Sequence, residues 1–329
     1  MNANVSVFVP HNGCKNQCSF CNQFSITSQS YQPTPDDVRA AAETALRTLG
    51  ESAKTSEIAF FGGSFTAVRR SYMISLLEAA YYYVERGLFR GIRLSTRPDA
   101  IDEEVLGVLK SYGVTTIELG AQSMVDSVLE ANRRGHTAAD VERASGLIKA
   151  AGFALGLQMM TGLYTDTDDL ARLTAQRLIA LHPDCVRIYP TVVLKGTMLE
   201  KLYLDGVYKP QTVDSAAWLC CDLLDMFEAS GIPVIRLGLH TIDTDSFVAG
   251  AWHPAFGEIC EGRRLFKKMS VVLTSEGEYI VRVSPRTVSK AVGHKRENIE
   301  RFNQKNISVR VLADSSLPDG SFSVEEVKR

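Results

Sequence analysis

The sequence predicts an α/β fold: a partial (β/α) TIM-like barrel of six or seven βα units, followed by a small basic α+β domain. Short apolar runs rich in β-branched residues alternate with helical patterns as far as about residue 236. No such run precedes the Gly-x-Gly-x-x-Gly turn of a dinucleotide fold. The net charge and the order of predicted strands and helices both change near residue 262, which predicts the second domain. A chain of 329 residues that is 45% apolar and 22% charged is ordinary folded protein, which excludes a disulfide-rich miniprotein.

Seven apolar runs bounded by glycine, proline or polar turns are predicted to form the strands of one parallel sheet. They are Val5–Pro10, Ile58–Phe61, Gly91–Leu94, Thr115–Leu119, Ala154–Met159, Cys185–Tyr189 and, as the seventh, Val234–Leu237. Helical patterns lie between them, most opening with Asp, Ser or Thr near the N-cap position. These are Pro35–Leu49, Tyr72–Arg86, Glu103–Tyr112, Ala138–Ala151, Asp168–Leu181 and Thr212–Ala229.

The predicted domains are residues 1–262, the barrel, and residues 263–329, the basic domain. The second carries 14 Lys and Arg against 8 Asp and Glu, whereas the first carries 22 against 30. The last fifth of the chain therefore presents a surface of opposite charge. Its predicted elements are a hairpin of Val271–Thr274 and Tyr279–Val283, a helix over Ser289–Asn303 broken near Gly293, and a strand over Ile307–Leu312.

Targeting signals and cysteine usage indicate the compartment. No stretch reaches the roughly 18–20 consecutive apolar residues of a membrane-spanning helix, and the first residues lack the basic and apolar regions of a signal peptide. We therefore expect a cytoplasmic protein with no membrane partner. Three of the seven cysteines fall within eight residues, which is too close for a disulfide framework and typical of metal ligation. The others are expected to be small buried side chains: Cys185, Cys220, Cys221 and Cys260.

Polar and glycine-rich loops follow the first four predicted strands. In (β/α) barrels the loops at the carboxyl ends of the strands carry the active site, so these loops should meet at one edge of the sheet. The four loops are His11-Asn12-Gly13-Cys14, Gly62-Gly63-Ser64-Phe65, Ser95-Thr96-Arg97-Pro98-Asp99 and Gly120-Ala121-Gln122-Ser123.

Cys14, Cys18 and Cys21 form a Cys-x3-Cys-x2-Cys motif directly after the first strand. A structural zinc site takes four protein ligands, and His11 could supply the fourth. An iron–sulfur cube normally takes four thiolates, so three would leave one iron open to another ligand. The glycine-rich loops favour the iron–sulfur site, because they offer backbone and polar groups to a bound nucleoside and amino acid. The alternative is a non-catalytic, zinc-stabilised RNA-binding protein.

The cysteine motif, with Phe20 before its last cysteine, resembles the radical S-adenosylmethionine superfamily. Further segments resemble, in the same order, the radical domain of the Elongator catalytic subunit over roughly residues 5–265. They are Phe61–Thr66, Ser95–Asp99, Gly120–Ser123, Arg134–Thr137 and Leu194–Thr197. The resemblance implies a 4Fe-4S cluster held by Cys14, Cys18 and Cys21, with S-adenosylmethionine on the fourth iron. It also implies reductive cleavage of S-adenosylmethionine to a deoxyadenosyl radical, and an electron donor such as flavodoxin or ferredoxin.

The same resemblance suggests the residues that bind S-adenosylmethionine. Gly62 and Gly63 would let the backbone approach the methionyl ammonium closely, and Ser64 stands where the superfamily has an acid. The remaining candidates are Arg97, Asp99, Gln122, Ser123 and Lys195. Structural roles are the alternatives: a strand-to-helix turn at the glycines, an arginine–proline–aspartate turn, and a solvated lysine. No catalytic side chain is identified.

The substrate is expected to be tRNA, because the resemblance implies tRNA modification. The alternative keeps the same cofactor chemistry but acts on a small metabolite or a porphyrin-like molecule. Residues 263–329 are too few for the acetyltransferase domain that the Elongator subunit carries, so we expect no acetyl transfer. Arg134–Thr137 either contacts substrate or caps a helix at Thr137.

Lys295 and Arg296 are candidates for RNA binding. They follow Gly293, where Val292–Ile299 resembles the Gly-x-x-Gly loop of a degenerate KH module, which clamps nucleic-acid backbone. Arg296 replaces the second glycine. Two adjacent cations within a basic segment favour contact with phosphates. The alternative is a solvated basic helix.

Overall fold

The computed structural model describes residues 4–10, 14, 17–22, 31–239, 242 and 244–327. The chain forms two compact units. The first runs to Gln211 and takes in Met226–Trp252, and the second combines Thr212–Asp225 with the chain from His253 onward. A boundary between separate domains at residues 262 and 263 stays a prediction.

The first unit is built on one parallel sheet. Its strands are β1 Asn4–Val9, β2 Glu57–Gly62, β3 Gly91–Thr96, β4 Val114–Gln122, β5 Ala154–Thr161, β6 Cys185–Pro190, β7 Val192–Leu194, β8 Val234–Leu237 and β9 Phe247–Gly250. Seven of them form the sheet in the order β1-β2-β3-β4-β5-β6-β8, with every neighbouring pair parallel. This arrangement is a partial (β/α) barrel, and the predicted fold class is confirmed. The short strands β7 and β9 pair antiparallel in a separate ribbon.

Helices follow most of the strands. They are α1 Pro35–Leu49, α2 Arg70–Val84, α3 Glu103–Ser111, α4 Asp126–Ala131, α5 Ala138–Ala150, α6 Asp168–Ala180, α7 Met198–Leu204 and α8 Val213–Ala229. The six predicted helices are confirmed, whereas α4 and α7 were not predicted. Several begin where a side-chain oxygen accepts a first-turn N–H, the usual N-cap contact. These caps are Thr34, Asp102, Thr137, Thr167 and Thr197.

The second unit contains a three-stranded sheet. Its elements are α9 Phe256–Val272, β10 Gly277–Val283, α10 Val288–Val292, α11 Glu297–Asn303, β11 Ile307–Ala313 and β12 Phe322–Glu326. The sheet order is β11-β10-β12, with β10 parallel to β11 and antiparallel to β12. Phe266, Met269, Val281 and Phe302 lie in its buried core.

The predicted hairpin of Val271–Thr274 and Tyr279–Val283 is wrong. Val271 and Val272 end helix α9 and are 78% and 54% exposed, while Met269 and Leu273, four residues apart, are buried. That spacing belongs to one face of a helix. Alternating apolar residues at the end of an amphipathic helix had the appearance of a strand.

A helix that crosses a membrane must be both long and apolar. Among the described residues, no helix combines the length and the apolar character needed to cross a membrane.

Candidate active site

One cavity opens at the carboxyl ends of the first strands of the sheet. Its empty space measures about 780 Å³, which includes space open to solvent at its mouth. The residues that line it come from the cysteine loop after β1, from the carboxyl ends of β2, β3 and β4 and the segments that follow them, and from β5. They are Cys14, Gln17, Cys18, Phe20, Cys21, Gly62, Gly63, Ser64, Ser95, Thr96, Arg97, Gly120, Gln122, Arg134 and Gln158.

All three cysteines of the motif line this cavity, as the sequence predicts for a shared site. Cys14 is exposed, and Cys18 and Cys21 are half-buried. Although the Cys14 residue is exposed overall, burial of its thiol raises its pKa; Cys18 adds to the rise, while Arg97, Arg134 and the Ser64 N–H oppose it. Within the described chain, no three His, Cys, Asp or Glu side chains are grouped to hold a single metal ion. His11, the fourth ligand of the zinc alternative, lies outside the described residues.

The glycine turn after β2 approaches the end of β1 closely. Gly62 has a φ of 112°, and a Cβ there would lie 3.0 Å from the carbonyl oxygen of Val9. The Gly63 N–H donates to that same oxygen at 2.7 Å. A side chain at Gly62 would therefore strain the backbone and push the two strand ends apart.

Ser64 ties the second loop to the third. Its buried hydroxyl lies 2.9 Å from the Thr96 hydroxyl and accepts the backbone N–H of Arg97 at 3.1 Å. Thr66 joins the same cluster, because its hydroxyl lies 2.6 Å from that of Thr96. These bonds fix the backbone from which the Arg97 side chain enters the cavity.

Arg97 and Asp99 form a bidentate pair. The Arg97 Nε donates to Asp99 Oδ1 at 2.9 Å, and its Nη2 donates to Oδ2 at 2.7 Å. Arg97 lines the cavity, whereas Asp99 does not. Two parallel hydrogen bonds fix the plane of the guanidinium, so Asp99 orients Arg97.

Gln122 and Ser123 separate at the end of β4. Gln122 lines the cavity and has a φ of 65°. Ser123 is buried away from it, where its hydroxyl accepts the Val125 N–H at 3.1 Å and lies 3.3 Å from the Thr174 hydroxyl. Ser123 therefore holds the turn that carries Gln122.

Lys195 follows the short strand β7 and is exposed. Its N–H donates to the Ser246 carbonyl at 2.9 Å, and its own carbonyl accepts Asn22 Nδ2 at 3.1 Å. Because Asn22 adjoins Cys21, the backbone of Lys195 supports the cysteine loop. Its side chain does not line the cavity.

Gln158 lines the cavity but was not predicted as a site residue, whereas Arg134 belongs to the segment predicted either to contact substrate or to cap a helix. Arg134 Nη1 donates to the Cys18 sulfur at 3.0 Å, and Nη2 donates to the Gly120 carbonyl at 2.8 Å. Gln158 Nε2 donates to the Ser95 hydroxyl at 3.0 Å and to Glu118 at 2.8 Å. A glutamine within the otherwise apolar run of β5 was the available signal, because polar residues inside parallel strands are unusual. In the neighbouring motif, Thr137 caps α5.

Gln158 also contacts a network of four charged side chains that are buried or nearly so, which we call the barrel ion network: Glu57, Arg93, Glu118 and Arg187. Arg93 donates to Glu57 and to Glu118, both at 2.8 Å. Arg187 donates twice to Glu118, at 2.6 and 2.9 Å. Although burial raises the pKa of Glu118, Arg187 and then Arg93 bring it below its ordinary value. Gln158 connects this network to the cavity.

Comparison with known families identifies the superfamily of this chain. Residues 8–178 match the radical SAM superfamily, and residues 183–268 match the Radical_SAM C-terminal domain. The chain belongs to the radical SAM superfamily. It is a radical SAM enzyme, and the predicted resemblance to the radical region of the Elongator catalytic subunit is confirmed.

Relatives of this radical SAM chain include longer proteins. The tRNA uridine(34) acetyltransferase of Dehalococcoides mccartyi is 26% identical over an alignment of 253 positions, and the match covers 67% of this chain and 55% of that protein. Elongator complex protein 3 of Homo sapiens is 31% identical over an alignment of 234 positions, and the match covers 59% of this chain and 42% of that protein. The chain thus spans about half the length of the curated relatives it matches.

A solved structure shares the radical SAM fold. The Elp3 of the archaeon Methanocaldococcus infernus, with an N-terminal deletion, superimposes with a TM-score of 0.65 at 22% identity. The match covers 81% of this chain and 63% of that one.

The family implies a 4Fe-4S cluster and S-adenosylmethionine, and the cavity fits both. Its donor set offers three thiols, the ligand type of iron–sulfur clusters. Three lining side chains also keep a buried polar atom that has no hydrogen-bond partner within the described chain: Arg97 Nη1, Gln122 Oε1 and Arg134 Nε. Buried polar atoms are normally paired, so unpaired donors and an acceptor indicate a polar ligand here.

Proposed function

We propose that Cys14, Cys18 and Cys21 hold a 4Fe-4S cluster, that S-adenosylmethionine binds beside it in the same cavity, and that the substrate is tRNA. The observation that carries the proposal is the coincidence of three thiols and three unpartnered buried polar atoms in one cavity. When bound, the cluster and S-adenosylmethionine supply one-electron cleavage of a carbon–sulfur bond, which yields a radical able to remove a hydrogen atom from the substrate.

The chain's own residues bind and orient. Gly62 and Gly63 line the cavity without side chains, so a ligand amine could approach their backbone closely. Arg97, aligned by Asp99, presents its unpaired Nη1 to a carboxylate, and Gln122 presents Oε1 to a hydrogen-bond donor. Three predicted residues act indirectly. Asp99 orients Arg97, and Ser123 holds the turn that carries Gln122. The backbone of Lys195 contacts Asn22 beside the cysteine loop.

A tRNA substrate is supported by the relatives, among which is a tRNA uridine(34) acetyltransferase. The second support is the loop between α10 and α11. Lys295 and Arg296 are exposed there in left-handed backbone conformations, with φ of 50° and 67° after Gly293. We propose that both contact RNA phosphates. An external electron donor of the flavodoxin or ferredoxin kind would reduce the cluster.

Anaerobic reconstitution tests the cofactor assignment. The protein is loaded with iron and sulfide, reduced with dithionite, and assayed for deoxyadenosine first without and then with total tRNA. We expect about four irons per chain for a single cube, deoxyadenosine that depends on S-adenosylmethionine, and more of it with tRNA. Cys18→Ala should lose both iron and product, whereas Cys185→Ala, which alters a buried cysteine of β6, should keep them.

Other results would reject parts of the proposal. A colourless protein with stoichiometric zinc would reject radical chemistry and favour the zinc-stabilised RNA-binding alternative. Deoxyadenosine formation that ignores tRNA but responds to a small metabolite would reject the RNA substrate alone. Product from Cys18→Ala would reject the cysteine assignment.

Filter binding of tRNA at several salt concentrations tests the proposed RNA contacts. Loss of two phosphate contacts in the double variant Lys295→Glu, Arg296→Glu should lower the slope of log affinity against log salt by roughly 1.4–1.8. A variant with Lys305→Glu and Arg310→Glu carries the same charge change elsewhere in the second unit. Equal behaviour of the two double variants would contradict the assignment of this loop.

A further inference from the structure

Arg134 is a buried cation without a carboxylate. Its residue is 8% exposed. Its two terminal nitrogens donate to the Cys18 sulfur and to the Gly120 carbonyl, and its Nε has no hydrogen-bond partner in the described chain. A guanidinium stays protonated in proteins, and burying a charge costs several kcal/mol unless an opposite charge compensates.

The other buried arginines show what is normal in this protein. Each contacts at least one carboxylate oxygen at 2.6 to 2.8 Å: Arg97 with Asp99, Arg187 with Glu118, and Arg263 with Asp214 and Glu297. Within the part of the chain that the structure describes, Arg134 forms no such pair, and what it contacts instead is a cysteine sulfur.

The contact between Arg134 and Cys18 is held in place from both sides. Ser19, next to Cys18, donates its N–H to the Asn132 carbonyl at 3.1 Å and its hydroxyl to Asn132 Oδ1 at 2.6 Å. Asn132 Nδ2 in turn donates to the Tyr164 carbonyl at 2.9 Å. Ser19 and Asn132 are both fully buried, so the cysteine loop and the segment that carries Arg134 are fixed to each other.

The nearby Arg97 and His136 do not supply an unmatched positive charge to the cysteine sulfurs. The charge of Arg97 is matched by the carboxylate of Asp99. His136 lies two residues on, and burial lowers its pKa to about 4, with the charge of Arg134 adding to the effect. His136 is therefore uncharged at neutral pH, and Arg134 supplies the unmatched positive charge next to the thiols.

We propose that Arg134 is the counter-charge of the iron–sulfur cluster and raises its reduction potential by donating to the Cys18 sulfur. This inference rests on the proposed function. An added electron makes a cluster more negative, so a fixed cation nearby stabilises the reduced form. Hydrogen bonds to ligand sulfurs and the local net charge are recognised determinants of cluster potentials. The cation would thus make the cluster easier to reduce by a physiological donor.

A redox titration followed by electron paramagnetic resonance, without S-adenosylmethionine, tests the proposal on the reconstituted protein. Arg134→Gln should lower the ratio of reduced to oxidised cluster at least tenfold at a given potential, which is a shift of 59 mV for one electron to more negative values. Arg134→Lys should lie between this variant and the wild type, because it keeps the charge but not the fork of donors. Arg133→Gln removes the exposed neighbouring charge and should leave the potential unchanged.

The outcomes separate this inference from the proposed function. A wild-type protein that assembles no 4Fe-4S cluster would overturn both. A wild-type cluster whose potential is unaltered in Arg134→Gln would overturn the counter-charge alone. If Arg134→Gln fails to retain the cluster, Arg134→Lys decides: retention by the lysine variant supports a role for charge, and equal loss in both variants shows a merely structural role.

Discussion

Replacing Glu118 by glutamine removes the central anion of the barrel ion network. The Glu118 side chain is 1% exposed and accepts three hydrogen bonds from Arg93 and Arg187, between 2.6 and 2.9 Å. In Glu118→Gln, Arg93 still has Glu57, but Arg187 loses its carboxylate. Removing one partner of a buried ion pair costs about 3–5 kcal/mol, because the remaining charge stays uncompensated.

Thermal unfolding followed by circular dichroism measures this cost. At roughly 2–4 °C per kcal/mol for a unit of 150–250 residues, the melting temperature of Glu118→Gln should fall by about 6–20 °C. The matched control is Glu142→Gln, which breaks a pair with Arg177 at 2.7 Å whose side chains are 47% and 39% exposed. Exposed pairs contribute about 0–1 kcal/mol. Equal melting temperatures for the two variants would refute the argument from burial.

Three further predictions concern pH, the glycine turn and the arginine pair. Because the folded-state pKa of Glu118 is lowered, its contribution to stability is complete above its unfolded value near 4.5 and is lost as pH falls through the folded value. The unfolding free energies of wild type and Glu118→Gln should therefore converge in acid titrations as pH falls through that folded value. Gly62→Ala should destabilise the fold by about 1–3 kcal/mol, because φ is positive there and the added Cβ would crowd the Val9 backbone. Gly107 lies in open space within α3, so Gly107→Ala should stabilise the fold by about 0.5–1 kcal/mol. Denaturant titrations measure both changes. Asp99→Asn should weaken S-adenosylmethionine binding about tenfold in equilibrium dialysis, a cost of about 1.4 kcal/mol, because Arg97 loses its alignment; unchanged affinity would contradict that role.

The sequence was sufficient for the barrel because its strands are mostly apolar runs bounded by turns, and several of its helices begin at a capping Thr or Asp. It also placed most of the site, since parallel strands bring their carboxyl ends to one edge and the loops after them must converge there. The sequence did not separate Gln122 from Ser123, because it does not show that the backbone turns at Gln122, where φ is 65°.

Contacts between distant segments could not be predicted. Arg134 and Cys18 are 116 residues apart, and neither residue type specifies the other. The parallel pairing of β10 with β11 is likewise non-local, and a hairpin with the preceding segment was the simpler local solution. The local sequence pattern therefore predicted the helices, strands and loops. Tertiary packing determined which side chains and strands contact each other.

Gln158 connects the wall of the cavity to the barrel ion network. One amide nitrogen bonds both Ser95, at the wall of the cavity, and Glu118, in the barrel ion network. Exchanging buried ions for well-packed aliphatic residues is often a route to heat resistance. In this chain such repacking would remove the Glu118 acceptor of the amide and leave its contact with the Ser95 hydroxyl at the wall of the cavity. Variants selected only for heat resistance should accordingly lose catalytic turnover before they lose stability. Mutant libraries should therefore keep Glu118 and Gln158 unchanged together.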